Sequence, residues 1–310
     1  MELLVDHVDQ QGAHHARRLQ MSRLAFAKHM AFAGQRYAPI PANLFRSLGM
    51  FLHYAPYLRR EAFNASHFSR PGLLLRDPTE QTHFSNIAGK AIADYLSKKL
   101  DGAIATQHYE AAMRKRKMSL AVGRPDLLAF TRNGQFAIEA KGRHQANPGN
   151  MAKHKKQSRT GGIKVNFTVA CVSYHLYDRI RCNYHDPYDG NVPFDRDLLQ
   201  ALTRDYYAGL AQYLDNDTFR YTETEYQGER FFEVDLSRPM RYLLERDMLF
   251  PFPPHWFEFL RPSLILPGDI KRYGTEGLTG ELGPFIQEAV SDDSSVYIDN
   301  DRVGLRIQQW

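Results

Sequence analysis

The reading of the chain turns on residues 123–143, GRPDLLAFTRNGQFAIEAKGR. Two apolar arms flank Asn133-Gly134, the dipeptide that best supplies the two positive-φ residues of a type I′ hairpin turn. If those two residues form the loop, Arg132 pairs with Gln135, Phe130 with Ala137, Leu128 with Glu139 and Asp126 with Lys141. Side chains alternate between faces along a strand, so Asp126, Glu139 and Lys141 fall on one face. Asp126 then stands opposite Lys141 at roughly 5 Å between Cβ atoms and diagonal to Glu139 at roughly 7 Å. Arms this apolar belong inside a sheet, where charges are costly unless something pairs with them.

Two carboxylates at that spacing suit a hard divalent cation, Mg²⁺ or Mn²⁺, which takes oxygen ligands. The carbonyl of Ala140 offers another oxygen. A lysine beside such a site can orient or deprotonate a water and offset charge on a phosphate. Arg124 before the hairpin and Arg143 after it, next to Gly123 and Gly142, suit the approach of a phosphodiester.

The surroundings give the hairpin a context. Residues 77–100 read as the clearest helix, with Asp77 as N-cap, Pro78 at the first helical position and Glu80 at capping-box spacing. Phe84, Ile87, Ala88, Ala91, Ile92 and Tyr95 make its apolar stripe. Glu80 borders that stripe, whereas Asp94 lies further from it and reads as surface. Residues 103–110 read as a strand, and the run Arg114, Lys115, Arg116, Lys117 as a basic loop or solvated turn. A short helix follows before Gly161-Gly162, carrying Lys155, Lys156 and Arg159 as candidate phosphate contacts, and 164–177 reads as a buried strand. The order helix, three strands, helix, strand makes the last link a crossover, so the sheet should be mixed.

Residues 1–76 read as a helical region, with one helix over 12–33 (Ala16, Leu19, Phe26, Ala27, Met30) and a second over 42–55. Residues 77–189 form the core unit and 190–310 an α+β extension. That extension holds a helix over 195–214, a hairpin over 218–236 around Gly228, a loop-rich stretch through the prolines at 251, 253, 254, 262 and 267, and a last hairpin around Asn300.

Charge divides the chain unevenly. Residues 101–165 hold 13 Lys/Arg against 4 Asp/Glu, whereas 190–310 hold 12 against 21. The basic middle points to a polyanion such as nucleic acid, and the acidic third is a candidate shield for it, or a surface for a homo-oligomer or partner protein. No run approaches 18 apolar residues, so no membrane partner is expected, and two cysteines suit a reducing cytoplasm. Cys171, His175, Cys182 and His185 invite a zinc reading, but Cys171 and His175 on one strand would stand about 13 Å apart. No phosphate-cradling Gly-Lys-Ser/Thr loop and no Gly-x-Ser-x-Gly elbow is present.

Pro125-Asp126, twelve further residues, then Glu139-Ala140-Lys141 resembles the PD-(D/E)xK nuclease superfamily, over roughly residues 77–177. The resemblance implies a restriction-endonuclease-like α/β fold, a mixed sheet flanked by helices. It also implies Mg²⁺-dependent hydrolysis of phosphodiesters, DNA favoured, leaving a 3′-OH and a 5′-phosphate. Asp126 and Glu139 would hold the metal, with Glu80 as the upstream helical acid. Lys141 would position the attacking water, and Gln157 matches the polar residue many members carry on the helix after the lysine strand. The alternative expectation is a non-catalytic nucleic-acid- or partner-binding subunit that keeps the fold.

Overall fold

A computed structural model of the chain describes residues 1–9, 11–34, 53–70, 77–185, 192–237, 261–290 and 294–308. In chain order its elements are β1 (Glu2–Val8), β2 (His14–Gln20), α1 (Arg23–Phe32), α2 (Arg60–Asn64), α3 (Pro78–Leu100), β3 (Ala105–His108), α4 (Tyr109–Lys115), β4 (Leu127–Phe130), β5 (Gln135–Gly142), α5 (Met151–Ser158), β6 (Phe167–Tyr174) and β7 (Arg181–His185). These are followed by α6 (Arg196–Ala211), β8 (Arg220–Tyr226), β9 (Glu229–Asp235), β10 (Pro262–Pro267), α7 (Ile270–Glu276), β11 (Gln287–Val290), β12 (Ser294–Ile298) and β13 (Gly304–Gln308).

The described strands form two sheets. One has seven strands in the order β2-β1-β7-β6-β5-β4-β3, and the other six in the order β11-β12-β13-β10-β9-β8. The first sheet is mixed: β3, β4 and β5 are antiparallel neighbours, while β5 runs parallel to β6 through the α5 crossover. The second is antiparallel at every described pairing.

Both faces of the first sheet are covered near its middle. Phe136, Ile138 and Ala140 point with Leu3, Val5 and Val169 into a core shared with α1 and α3. Leu128, Phe130 and Ala137 point the other way, into a core with α6 residues Leu198, Leu202 and Tyr207 and β10 residues Leu264 and Leu266. Helix α3 starts as its caps dictate: the Asp77 side chain accepts from Thr79 N at 2.6 Å, with Pro78 at the first position. It then crosses β5 at glycine contact distance. A Cβ on Gly142 would come within 1.8 Å of the Ser85 carbonyl oxygen, and one on Gly89 within 2.3 Å of Gly142 N.

Several expectations are corrected. Residues 14–20 of the expected 12–33 helix are the edge strand β2, and the helix begins at Arg23. Strand β1 pairs antiparallel with β2 and parallel with β7, so the N-terminal region contributes strands to the first sheet rather than a separate helical layer. The missed signal is the period-2 burial of Leu3, Val5 and His7. Most of the expected 42–55 helix lies outside the described residues. The 103–110 strand ends at His108, where α4 starts. Pro262–Pro267, read as loop, is a central strand whose prolines sit at its two ends.

Asp94 is not surface. It is buried in a charged network joining α1, α3 and the β12–β13 turn. Lys28 Nζ lies 2.7 Å from Asp299 Oδ2 and 2.8 Å from Asp301 Oδ2, and Lys98 Nζ lies 2.9 Å from each of the same two carboxylates. His29 Nδ1 contacts Asp94 Oδ2 at 2.7 Å, and Thr106 Oγ1 donates to Asp94 Oδ1 at 2.7 Å. The second sheet is fastened to the first through these ion pairs as well as through apolar packing.

Candidate active site

The hairpin forms, but not with a type I′ turn. Leu127 pairs with Ile138, Leu128 with Ala137, Ala129 with Phe136 and Phe130 with Gln135. The loop is therefore Thr131–Gly134, closed by Thr131 N donating to Gly134 O at 2.9 Å, and neither Asn133 nor Gly134 takes positive φ. Tertiary bonds overrule the local preference. Gln135 N donates to Asn166 Oδ1 at 2.9 Å, Gln135 Nε2 donates to Lys164 O at 2.7 Å, and Gln135 Oε1 accepts from Asp195 N at 2.9 Å. The two-residue loop with positive φ at both positions occurs instead at Gln227-Gly228, between the paired Tyr226 and Glu229.

The register differs from the expected one by two residues, not one, so no side chain changes face. Asp126 now stands level with Glu139 rather than Lys141. Its main chain is fixed by donation of its N–H to Ile138 O at 3.0 Å and of Tyr109 N–H to its carbonyl at 3.2 Å. Its carboxylate accepts from Ala140 N at 2.9 Å through Oδ2. In a strand a residue's N–H and C=O project to the same side, so the Ala140 carbonyl is turned toward Asp126 as well.

The three charges meet. Lys141 Nζ lies 2.5 Å from Glu139 Oε1 and 3.6 Å from Asp126 Oδ2. The Glu139 side chain is fully buried, while Asp126 is 40% and Lys141 30% exposed, so the site opens to solvent on the Asp126 side. Lys141 is therefore in close ion-pair contact with the buried Glu139 carboxylate. Burial, reinforced by the Asp126 charge and only partly offset by Lys141, pushes the Glu139 carboxyl up to about 7. Burial pulls the Lys141 ammonium down, but Asp126 and Glu139 outweigh it and its pKa is raised.

Glu80 is not brought to this pair. Helix α3 covers the face of Ile138 and Ala140, opposite to that of Glu139 and Lys141. Glu80 Oε2 contacts His53 Nε2 at 3.2 Å. Among the described residues no group of three or more His, Cys, Asp or Glu side chains is placed to hold a metal. Asp126 and Glu139 are thus a pair, with backbone and solvent left to complete any coordination. The zinc reading likewise finds no support, because Cys171 and Cys182 are buried core residues and His175 contacts Asp178.

Most of the proposed phosphate contacts are engaged. Arg124 Nη2 donates to Glu110 Oε2 at 2.5 Å, and Arg114 Nη2 to Glu110 Oε1 at 2.6 Å. Lys115 pairs with Asp205 at 2.6 Å and Arg116 with Asp195, both acids of the α6 segment, so the acidic third does meet the basic run. Lys117 lies two residues beyond α4, in the left-handed region at φ 53. Lys155 donates to the Thr168 carbonyl and to Thr168 Oγ1 at 2.9 Å. Lys156 and Arg159 are exposed on α5, and Gln157, half-buried, accepts through its carbonyl from Thr160 Oγ1 at 2.7 Å.

No protein-family model matches the chain, and searches of curated proteins and of solved structures find no match either.

One residue of the site escaped the sequence reading. His154 is buried beneath α5, and its Nε2 lies 3.1 Å from Arg143 Nη2. The signal was available: with Lys155, Lys156 and Arg159 on the wet face, a 3.6 period turns 154 and 158 inward.

Proposed function

We propose that the chain is a metal-dependent nuclease of the PD-(D/E)xK type, hydrolysing phosphodiester bonds, with DNA as the favoured substrate. The observation that carries this reading is the state of Glu139, a fully buried carboxylate held by Lys141 at 2.5 Å beside a second carboxylate, its pKa pushed up to about 7 by burial and by Asp126. Burying a carboxylate is costly even when a lysine pairs with it, and carboxyls perturbed in this way cluster at functional sites.

The donor set fits a hard cation. Asp126, Glu139 and the Ala140 carbonyl would hold Mg²⁺ or Mn²⁺, which would supply Lewis acidity and an activated water at neutral pH. Asp126, held by Ala140 N and open to solvent, receives the substrate side. Lys141 Nζ, spanning both carboxylates, has donors to orient the attacking water and to offset charge on the phosphate. The products are proposed to be a 3′-OH and a 5′-phosphate. Loading the site removes the reason for Glu139 to hold a proton.

The separation of Glu80 from the pair favours the second reading, a non-catalytic nucleic-acid- or partner-binding subunit that keeps the fold without cutting. The two readings part on plasmid, linear duplex, single-stranded DNA and RNA substrates incubated with Mg²⁺ or Mn²⁺. The nuclease reading expects cleavage of at least one, absent in EDTA and in Lys141→Ala. Binding without cleavage on every substrate would replace it with the second reading.

A further inference from the structure

We infer that the Arg143 guanidinium is a preformed phosphate subsite of this site, set in place by His154 and Gly149. The inference rests on the nuclease reading only for the claim that the phosphate belongs to a nucleic acid.

Strand alternation places Arg143 on the same side as Glu139 and Lys141, roughly 7 Å beyond Lys141. Its main chain is anchored at the end of β6, with Arg143 N donating to Ser173 O at 2.8 Å. The side chain is held from two directions. His154 Nε2 accepts from Arg143 Nη2 at 3.1 Å, and Gly149 lies so close that a Cβ there would stand 2.7 Å from Arg143 Cζ. Gly149 also takes φ +79, so the residue type serves both the turn and the close approach.

The partner chosen for this arginine is unusual in its surroundings. Arg114, Arg116, Arg124 and Lys115 each contact a carboxylate, Glu110 being shared by Arg114 and Arg124. Arg143 forms no ion pair among the described residues, and its partner is a neutral ring. Burial, together with Arg143, Lys141 and Lys153, keeps the His154 pKa below its ordinary value, so the ring stays an acceptor. With Nε2 accepting, the proton resides on Nδ1, a buried atom with no hydrogen-bond partner. Orienting the guanidinium therefore leaves a donor unsatisfied, which packing alone would not require. One N–H spent on His154 leaves most of the five guanidinium donors for a bidentate contact with an oxyanion. His154 is a positioning residue, and the contact with substrate belongs to Arg143.

The test uses inorganic phosphate, with binding followed by broadening of its ³¹P resonance in EDTA. The full chain is compared with Arg143→Met, Arg143→Lys, His154→Phe and His154→Gln, each checked by its melting curve. Wild type is expected to bind, and Arg143→Met to lose binding. His154→Phe and Arg143→Lys are each expected to weaken binding about tenfold, the first by losing the acceptor and the second by losing the planar fork. His154→Gln, whose Oε1 reaches the same place as Nε2, is expected to stay within about twofold of wild type. Absent binding in wild type, full binding in Arg143→Lys, or a Gln variant no better than Phe would each overturn the subsite. The assay involves neither metal nor cleavage. The predicted phosphate pattern without any nucleic-acid cleavage would refute the nuclease reading and leave the subsite standing. Cleavage without the pattern would do the reverse.

Discussion

If the chain is the proposed nuclease, replacing Glu139 by glutamine is expected to abolish cleavage, and in any case to make the metal-free protein more stable at alkaline pH. The loss of activity should be on the order of a thousandfold, the scale on which removing one preorganised electrostatic group at a reacting centre is felt. The gain in stability follows from linkage. Burial raises the Glu139 carboxyl from 4.5 to about 7 in the folded chain. Between those values the folded state binds a proton that the unfolded state has lost, so stability falls as pH rises through this window and is flat above it. At 1.36 kcal/mol per unit, the cost of the ionised buried group at pH 8 is on the order of 3 kcal/mol. Glutamine avoids that cost but gives up the Lys141 contact, and Lys141 retains Asp126 at 3.6 Å. Urea unfolding in EDTA should therefore show Glu139→Gln more stable than wild type at pH 8 and not at pH 4.5. A destabilised variant at pH 8, or an equal gain at both pH values, would remove the ionised buried carboxylate from the account.

The second large effect lies away from the site. Lys28→Met should destabilise the fold by about 3–5 kcal/mol, because it removes one of the two lysines that hold the buried Asp299 and Asp301. Burial opposes ionisation of Asp94 and Asp299, but the lysines outweigh it and hold both carboxyls below their ordinary value. That part of the stability is present above the ordinary Asp range and is lost as pH falls below it. Burial also lowers the pKa of His29, Asp94 notwithstanding, so stability falls further once pH drops below the ordinary histidine value and the unfolded chain takes up that proton. Urea titrations at pH 7 give the size of the Lys28 effect, and a change under about 1 kcal/mol would show that the network contributes little beyond packing.

How much of this was legible in the sequence depended on whether the deciding contacts were local. The shared face of Asp126, Glu139 and Lys141 was legible because parity survives a two-residue register error. The register itself was not, because Gln135 is placed by Lys164, Asn166 and Asp195, all distant in the chain. The α3 helix was legible from Asp77, Pro78 and its stripe, but the fate of Asp94 was not, since the groups that bury it come from α1 and from residues beyond 296. Strand β2, HHARRLQ, has no alternation of its own and is a strand because β1 offers it a ladder. Glu80 looked like a third ligand from its place beside the stripe. What decides against that position is which face of β5 the helix covers, fixed by the Gly89–Gly142 crossing.

The claim that Asp126 and Glu139 form the metal-holding pair is tested most directly by calorimetric titration of Mn²⁺ into the metal-free protein at pH 8. Wild type is predicted to bind at one site, Asp126→Asn and Glu139→Gln to lose that site, and Glu80→Gln to keep it. No binding by wild type, or binding that survives both Asp126→Asn and Glu139→Gln, would contradict the account.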